Sequence, residues 1–217
     1  MIIKYQSWLT DYKELNSESG TQTLLDASND TNNKAKVKSG KLSASDVAKE
    51  NHNKKLHYEF CVFTESEDVP YCYVSVIPRN KHIGVNFLDE AGREYLAYAF
   101  HEIREDHTLF LREIWYYHFA SEAAKDEEYR IHYAFDEQGD INYRKYDEKN
   151  QKIQDFEGNK RFDISGLYEA YPEFGQYESL IRLERNLPLD IEPPNTAPDN
   201  TTDLPNNGWL PPGWNKS

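Results

Sequence analysis

From His57 onward the chain alternates short aromatic and β-branched runs with charged turns, a pattern that restricts it to hairpin-connected strands. Tyr129, Ile131, Tyr133 and Phe135 take every second position, with Arg130, His132 and Ala134 between them. Successive side chains of a strand point to opposite faces, so one face of this run is buried and the other is wet. Residues 57–65, 69–77, 82–88, 93–103 and 107–119 have the same strand-forming composition. Three connections repeat a motif: Asp89-Glu90-Ala91-Gly92, Asp136-Glu137-Gln138-Gly139 and Asp147-Glu148-Lys149-Asn150. Each follows an aromatic-bearing strand with Asp-Glu and then supplies Gly or Asn, which tolerate positive φ at a hairpin tip. After Pro172 the period changes: Phe174, Tyr177, Leu180, Ile181 and Glu184 fall at helical spacing, predicting an amphipathic helix over 173–186, stopped by Asn186-Leu187-Pro188. The expected fold is α+β, mainly β: an antiparallel meander with a C-terminal helix packed on it.

Charge and aromatic content divide the chain further. The 217 residues carry a formal charge of −13, and residues 57–190 hold that whole excess together with 25 of the 30 aromatic side chains. Four segments follow: an N-terminal strand over 1–15, a polar flexible insertion over 16–56, the acidic aromatic β domain with its helix over 57–187, and a proline-rich tail over 188–217. Within the insertion, Ser45 is read as the N-cap of one short helix. The tail holds seven of the ten prolines, an extended composition that Trp209 and Trp214 could latch to the domain. A tight turn at 65–68 would place Cys61 opposite Cys72; both are read as reduced core residues rather than a disulfide.

The acid surplus argues against a surface that tracks a phosphate backbone. No charged leader followed by an apolar core and no bilayer-length apolar stretch is present, which predicts a cytoplasmic protein. His101, His107, His118 and His132 are the candidate ligands or acid–base groups, yet His-Glu-x-x-His, Cys-x-x-Cys, Gly-x-Ser-x-Gly and glycine-rich phosphate loops are all missing. The carboxylate pairs Glu65/Glu67/Asp68 and Glu127/Glu128 lie in turn-like sequence, where a raised pKa is not expected. The expectation is therefore a protein with no cofactor, no metal and no catalytic residues.

What remains is the acidic surface. Glu122, Asp126, Glu127 and Glu128 cluster between two strands, and Asp136, Glu137, Asp140, Asp147 and Glu148 decorate the following hairpin tips. Alternate tips of a meander share one edge, so part of this set should merge into a patch that steers a basic partner. The run from Leu109 to Arg185 resembles the small acidic immunity proteins encoded beside bacterial polymorphic and contact-dependent toxins. It does so in Arg112-Glu113-Ile114-Trp115-Tyr116-Tyr117-His118-Phe119, the two Asp-Glu hairpins and Leu167-Tyr168-Glu169-Ala170-Tyr171-Pro172-Glu173-Phe174. The resemblance implies stoichiometric neutralisation of a cognate toxin, often a basic nuclease, with no nucleic-acid or membrane partner. The alternatives are a DNA-mimicking inhibitor, a histidine-based enzyme, and a scaffold module that uses the proline-rich tail as its ligand.

Overall fold

A computed structural model describes residues 1–64, 68–147, 149–157 and 161–185. Its centre is an antiparallel sheet with strand order β1-β4-β5-β6-β7-β8-β9-β10-β11. The strands are β1 (Ile2–Lys4), β4 (Tyr58–Phe63), β5 (Cys72–Ile77), β6 (His82–Leu88), β7 (Glu94–Glu102), β8 (Leu109–His118), β9 (Tyr129–Phe135), β10 (Ile141–Asp147) and β11 (Lys152–Glu157). From β4 to β11 each strand pairs with the next in sequence, as the hairpin turns predict. The N-terminal strand joins this sheet through β1, with Ile2 opposite Phe63. A two-stranded hairpin of β2 (Trp8–Leu9) and β3 (Glu14–Leu15) follows it.

Two of the repeated turns are nearly superimposable in their bonding. The side chains of Asp89 and Asp136 each accept from backbone N–H groups two and four residues on, and Gly92 and Gly139 follow with φ +71° and +87°. An aspartate that holds its own turn, followed by a left-handed residue, is the three-residue hairpin with a bulge. The third turn departs slightly, because Gln151 rather than Asn150 takes the positive φ.

The inner face of the sheet is the core. Phe60, Val74, Val85, Tyr98, Ile114 and Tyr133 lie on it at no more than 2% exposure. The covering layer is residues 161–185 with helix α3 (Ala44–Asn53). The C-terminal helix expected over 173–186 is not found in its described part. Phe174, Tyr177, Leu180 and Ile181 do pack on the core, but through successive turns with Gly175 at φ +87°. Apolar residues three and four apart suit a chain of turns as well as a helix, and the left-handed glycine ends any helix there. A short strand, β12 (Tyr168–Glu169), pairs with the start of β8 and draws this layer onto the sheet.

Residues 16–56, read as a flexible insertion, carry three helices: α1 (Glu18–Asn29), α2 (Lys34–Lys38) and α3. Ser17 caps α1 by accepting from Gly20 N. The Asp26 carboxylate then accepts from the backbone N–H groups of Asn33 and Lys34 and from Thr31 Oγ1, folding α2 back on α1. The N-cap of α3 is Ser43 rather than Ser45, and it forms a reciprocal capping box with Asp46. Val37, Val47 and Ala48 supply the buried apolar side chains of α2 and α3. The tail over 188–217, with Trp209 and Trp214, lies outside the described residues.

The expected cysteine register is off by one residue. Val62 stands opposite Cys72, and Cys61 stands opposite Tyr73. The two thiols therefore face opposite sides of the sheet. Cys72 lies in the core, while Cys61 lies under Trp8, Phe63 and Leu88 on the outer face. Both are free.

Candidate functional site

The meander sorts the acidic residues into two groups at opposite ends of β9, about 24 Å apart for a seven-residue strand. One end gathers Glu122, Asp126, Glu127 and Glu128 from the β8–β9 loop with the β10–β11 tip: Lys149 Nζ lies 3.9 Å from Glu128. The other end holds Asp136, Glu137 and Asp140, and Glu137 approaches Arg104 at 3.8 Å. Glu148 lies outside the described residues.

Several of these carboxylates already have work within the fold. Glu127 pairs with Arg130 at 3.1 Å, and Glu128 lies 3.9 Å from His118. Asp136 and Asp147 accept from backbone N–H groups of their own turns. Glu122, Asp126 and Asp140 are exposed and have no ion pair among the described residues. The eight described carboxylates of the set thus divide between the two ends of β9. The β8–β9 loop holds two of the three unpaired carboxylates, with the exposed Lys125 between them.

That loop is held from beneath by a buried arginine. The Arg93 side chain is 7% exposed and Asp89 is 2% exposed, and the guanidinium meets the carboxylate at 2.6 and 2.7 Å through Nη2 and Nε. Its Nη1 donates to the carbonyls of Ser121 and Ala124 at 2.9 and 2.7 Å, and the group sits 4.2 Å from the Phe119 ring. The β6–β7 turn and the β8–β9 loop are therefore one fixed unit that presents Glu122 and Asp126 to solvent.

The outer face of the sheet brings together side chains far apart in sequence. Register places Tyr73, Asn86, Ala97, Trp115, His132 and Arg144 in one row across β5 to β10. The neighbouring row reads Glu59, Ser75, Gly84, Ala99, Glu113 and Ala134. Trp115 stacks on His132 at 4.1 Å, and His132 Nε2 lies 3.0 Å from Glu113. His118 stacks on Tyr129 at 4.4 Å. His101 meets His82 edge-on at 5.2 Å, and His107 Nδ1 reaches Glu102 at 2.8 Å instead of joining them. The candidate histidines are thus dispersed. Among the described residues no three His, Cys, Asp or Glu side chains group closely enough to hold a metal ion.

Two half-buried carboxyls on this face are tuned in opposite directions. Burial drives Glu94 above the ordinary carboxyl range, and hydrogen bonds from the Tyr73 and Tyr117 hydroxyls only partly counter it. Burial would raise Glu59 as well, but His57, Ser7 and Ser75 outweigh it and hold that carboxyl low.

At the end of the sheet opposite the Glu122 loop, a cleft of about 490 Å³ opens between α1 and the start of β4. Ser28, His57, Leu56, Ile77, Arg79 and Asn80 line it, with Asn29, Asp30 and Lys55. Ser28 Oγ lies 3.0 Å from His57 Nδ1, and His57 Nε2 lies 3.2 Å from Glu59 Oε1. The Asn29 side chain accepts from His57 N–H at 2.9 Å and donates to His57 C=O at 2.8 Å. This set was invisible to motif reading, because Ser28 lies on α1, His57 precedes β4 and nothing in their spacing announces contact. The usable signal was the register parity of β4, which puts residues 57 and 59 on one side.

Comparison of the chain with protein families, with curated proteins and with solved structures finds no match. Among the described residues no helix is long and apolar enough to cross a membrane.

Proposed function

We propose that this chain is an immunity-type inhibitor that binds a cognate bacterial toxin with a basic surface and neutralises it by stoichiometric occlusion. The observation that carries the reading is the β8–β9 loop: Glu122 and Asp126 stand exposed and free of ion pairs among the described residues, on a loop that Arg93 clamps to the fold. The loop also carries the exposed cation Lys125, but Glu122, Asp126, Glu127 and Glu128 outnumber it. A fixed net negative charge accelerates encounter with a basic partner, and a rigid loop loses little entropy on docking. The same electronegativity disfavours a nucleic-acid partner. Cytoplasmic location belongs to this reading, and neutralisation by occlusion itself requires no catalysis.

The test is titration against the purified C-terminal domain of whatever protein the neighbouring reading frame encodes. A 1:1 complex is expected, with an association rate that falls as salt rises. Glu122→Lys with Asp126→Lys should lower that rate roughly tenfold while leaving the urea midpoint unchanged. Salt-independent association that is unaltered by the double charge reversal refutes the assignment of this loop as the interface.

A further inference from the structure

We infer that Ser28 and His57 are catalytic residues, positioned by Glu59 and Asn29, and that the cleft they line hydrolyses short-chain carboxylic esters. Nucleophilic serine catalysis needs a base in hydrogen-bond reach of the hydroxyl and a third group that fixes the base, whatever the chain order. Here the serine hydroxyl is exposed at the cleft and 3.0 Å from Nδ1, while the half-buried Glu59 carboxylate is 3.2 Å from Nε2. Glu59 is itself held by the Ser7 and Ser75 hydroxyls, which keeps it ionised and aimed. Nε2 is buried and makes no aligned hydrogen bond, but the negative charge of Glu59 3.2 Å away favours the tautomer with its proton on that nitrogen, which leaves Nδ1 free to accept from Ser28.

Positioning comes from the backbone. Asn29, the neighbour of Ser28, grips both the N–H and the C=O of His57, and Asn51 donates to the same carbonyl at 3.1 Å. The separation of nucleophile and base is thus fixed by a two-point clamp and does not depend on side-chain chance. The cleft volume falls within the range of small-molecule sites. Leu56 and Ile77 give it an apolar wall for a short acyl chain. Arg79 and Asn80 line the same cleft, and their side-chain N–H groups are assigned to the developing oxyanion.

In the first step Ser28 Oγ bonds to the ester carbonyl carbon as its proton passes to His57 Nδ1. The bond to the leaving oxygen then breaks, and the alcohol departs with the proton from Nδ1. Water attacks the acyl-Ser28 by the same route, releasing the carboxylic acid and restoring the serine hydroxyl. Glu59 stabilises the transient imidazolium without taking its proton.

The test uses the full chain with a fluorophosphonate probe and with p-nitrophenyl butyrate. The expected result is a covalent adduct mapped to Ser28 and hydrolysis above the buffer rate. Ser28→Ala and His57→Gln should each lower kcat by on the order of 10³-fold, and the double variant should fall no further, since the pair acts as a unit. Ser28 is exposed, so its alanine variant keeps the wild-type urea midpoint. Absence of both adduct and hydrolysis in the wild-type chain overturns the inference, as does an adduct elsewhere or a Ser28→Ala variant with the wild-type rate. Each of these three results leaves the toxin-binding reading standing, because that loop lies at the other end of the sheet.

Discussion

Replacing Arg93 by alanine should be among the most damaging single changes to the outer loops, and its cost can be worked from its contacts. The substitution removes both guanidinium bonds to a carboxylate only 2% exposed, two bonds to the Ser121 and Ala124 carbonyls, and the contact with Phe119. Asp89 keeps two backbone donors, Ala91 N and Arg93 N, but loses its counter-charge. Removing one partner of a buried pair costs about 3–5 kcal/mol, because the remaining charge stays desolvated. At a urea dependence of about 2.5 kcal/mol/M, 4 kcal/mol moves the midpoint down by roughly 1.6 M. Arg144→Ala is the internal control: its partner Asp155 is 59% exposed, and such pairs contribute about 0–1 kcal/mol. Urea titrations of the two variants, with hydrogen exchange over 119–128, provide the measurement. Equal midpoints for the two variants, or unchanged exchange in the loop of Arg93→Ala, would falsify the claim that this arginine clamps the loop. The pair replacement Arg93→Met with Asp89→Asn should cost less than Arg93→Ala alone.

Glycine positions separate strain from collision. Gly139→Ala should cost roughly 3 kcal/mol, since its Cβ would lie 2.6 Å from the Phe162 carbonyl oxygen at φ +87°, whereas Gly175→Ala meets nothing within 4 Å and should cost about 1–2 kcal/mol; equal thermal shifts would contradict the geometry. Both cysteines should resist a thiol reagent in the native protein and react only on unfolding, because burial pushes the Cys61 thiol up to about 12 and Cys72 well above its usual value; one fast thiol under native conditions would defeat this. Glu94 is raised in the fold, so its contribution is complete below the ordinary carboxyl pKa and is lost as pH climbs through the raised value. Glu94→Gln should therefore be more stable than wild type near pH 8 and indistinguishable near pH 4. Glu59 runs the other way: its lowered value gives stability above the ordinary carboxyl pKa that fades as pH falls through the lowered one, so Glu59→Gln should be destabilised at neutral pH and converge with wild type in acid. Parallel pH profiles for the two variants would refute the opposed tuning.

Strand content was legible because it depends on a local signal. The alternation at 129–135 coincides with β9, and the runs at 82–88 and 107–119 contain β6 and β8. The three helices were not, because their buried side chains are in part Thr21, Gln22 and Asn51, polar residues that leave no apolar stripe, and the partners of Thr21 and Asn51 lie outside their own helices. Thr21 Oγ1, for instance, accepts from Ser7 N at 2.9 Å. The acidic hairpin tips were read correctly as turns, but which of them combine depends on strand count parity and on cations such as Arg104 and Lys149, which no turn motif announces. The Ser28–His57 contact spans 29 positions and arises only once α1 lies beside the start of β4.

The covering layer bears on how the chain folds in time. Each strand of the meander pairs with a close sequence neighbour, so the sheet can zip as it is synthesised. Its inner face, however, is closed by residues 161–185, whose fastenings run back across the chain: the Tyr71 hydroxyl donates to Ile181 C=O and the Tyr98 hydroxyl to Leu183 C=O, sequence separations of 110 and 85. Until that segment has left the ribosome, Phe60, Val85, Tyr98 and their neighbours face water on an assembled sheet. During that interval the nascent chain is most exposed to misassociation and most suited to a chaperone. Tyrosine at these positions then has a second use besides filling volume: its hydroxyl supplies the donor that fastens the last irregular segment in place.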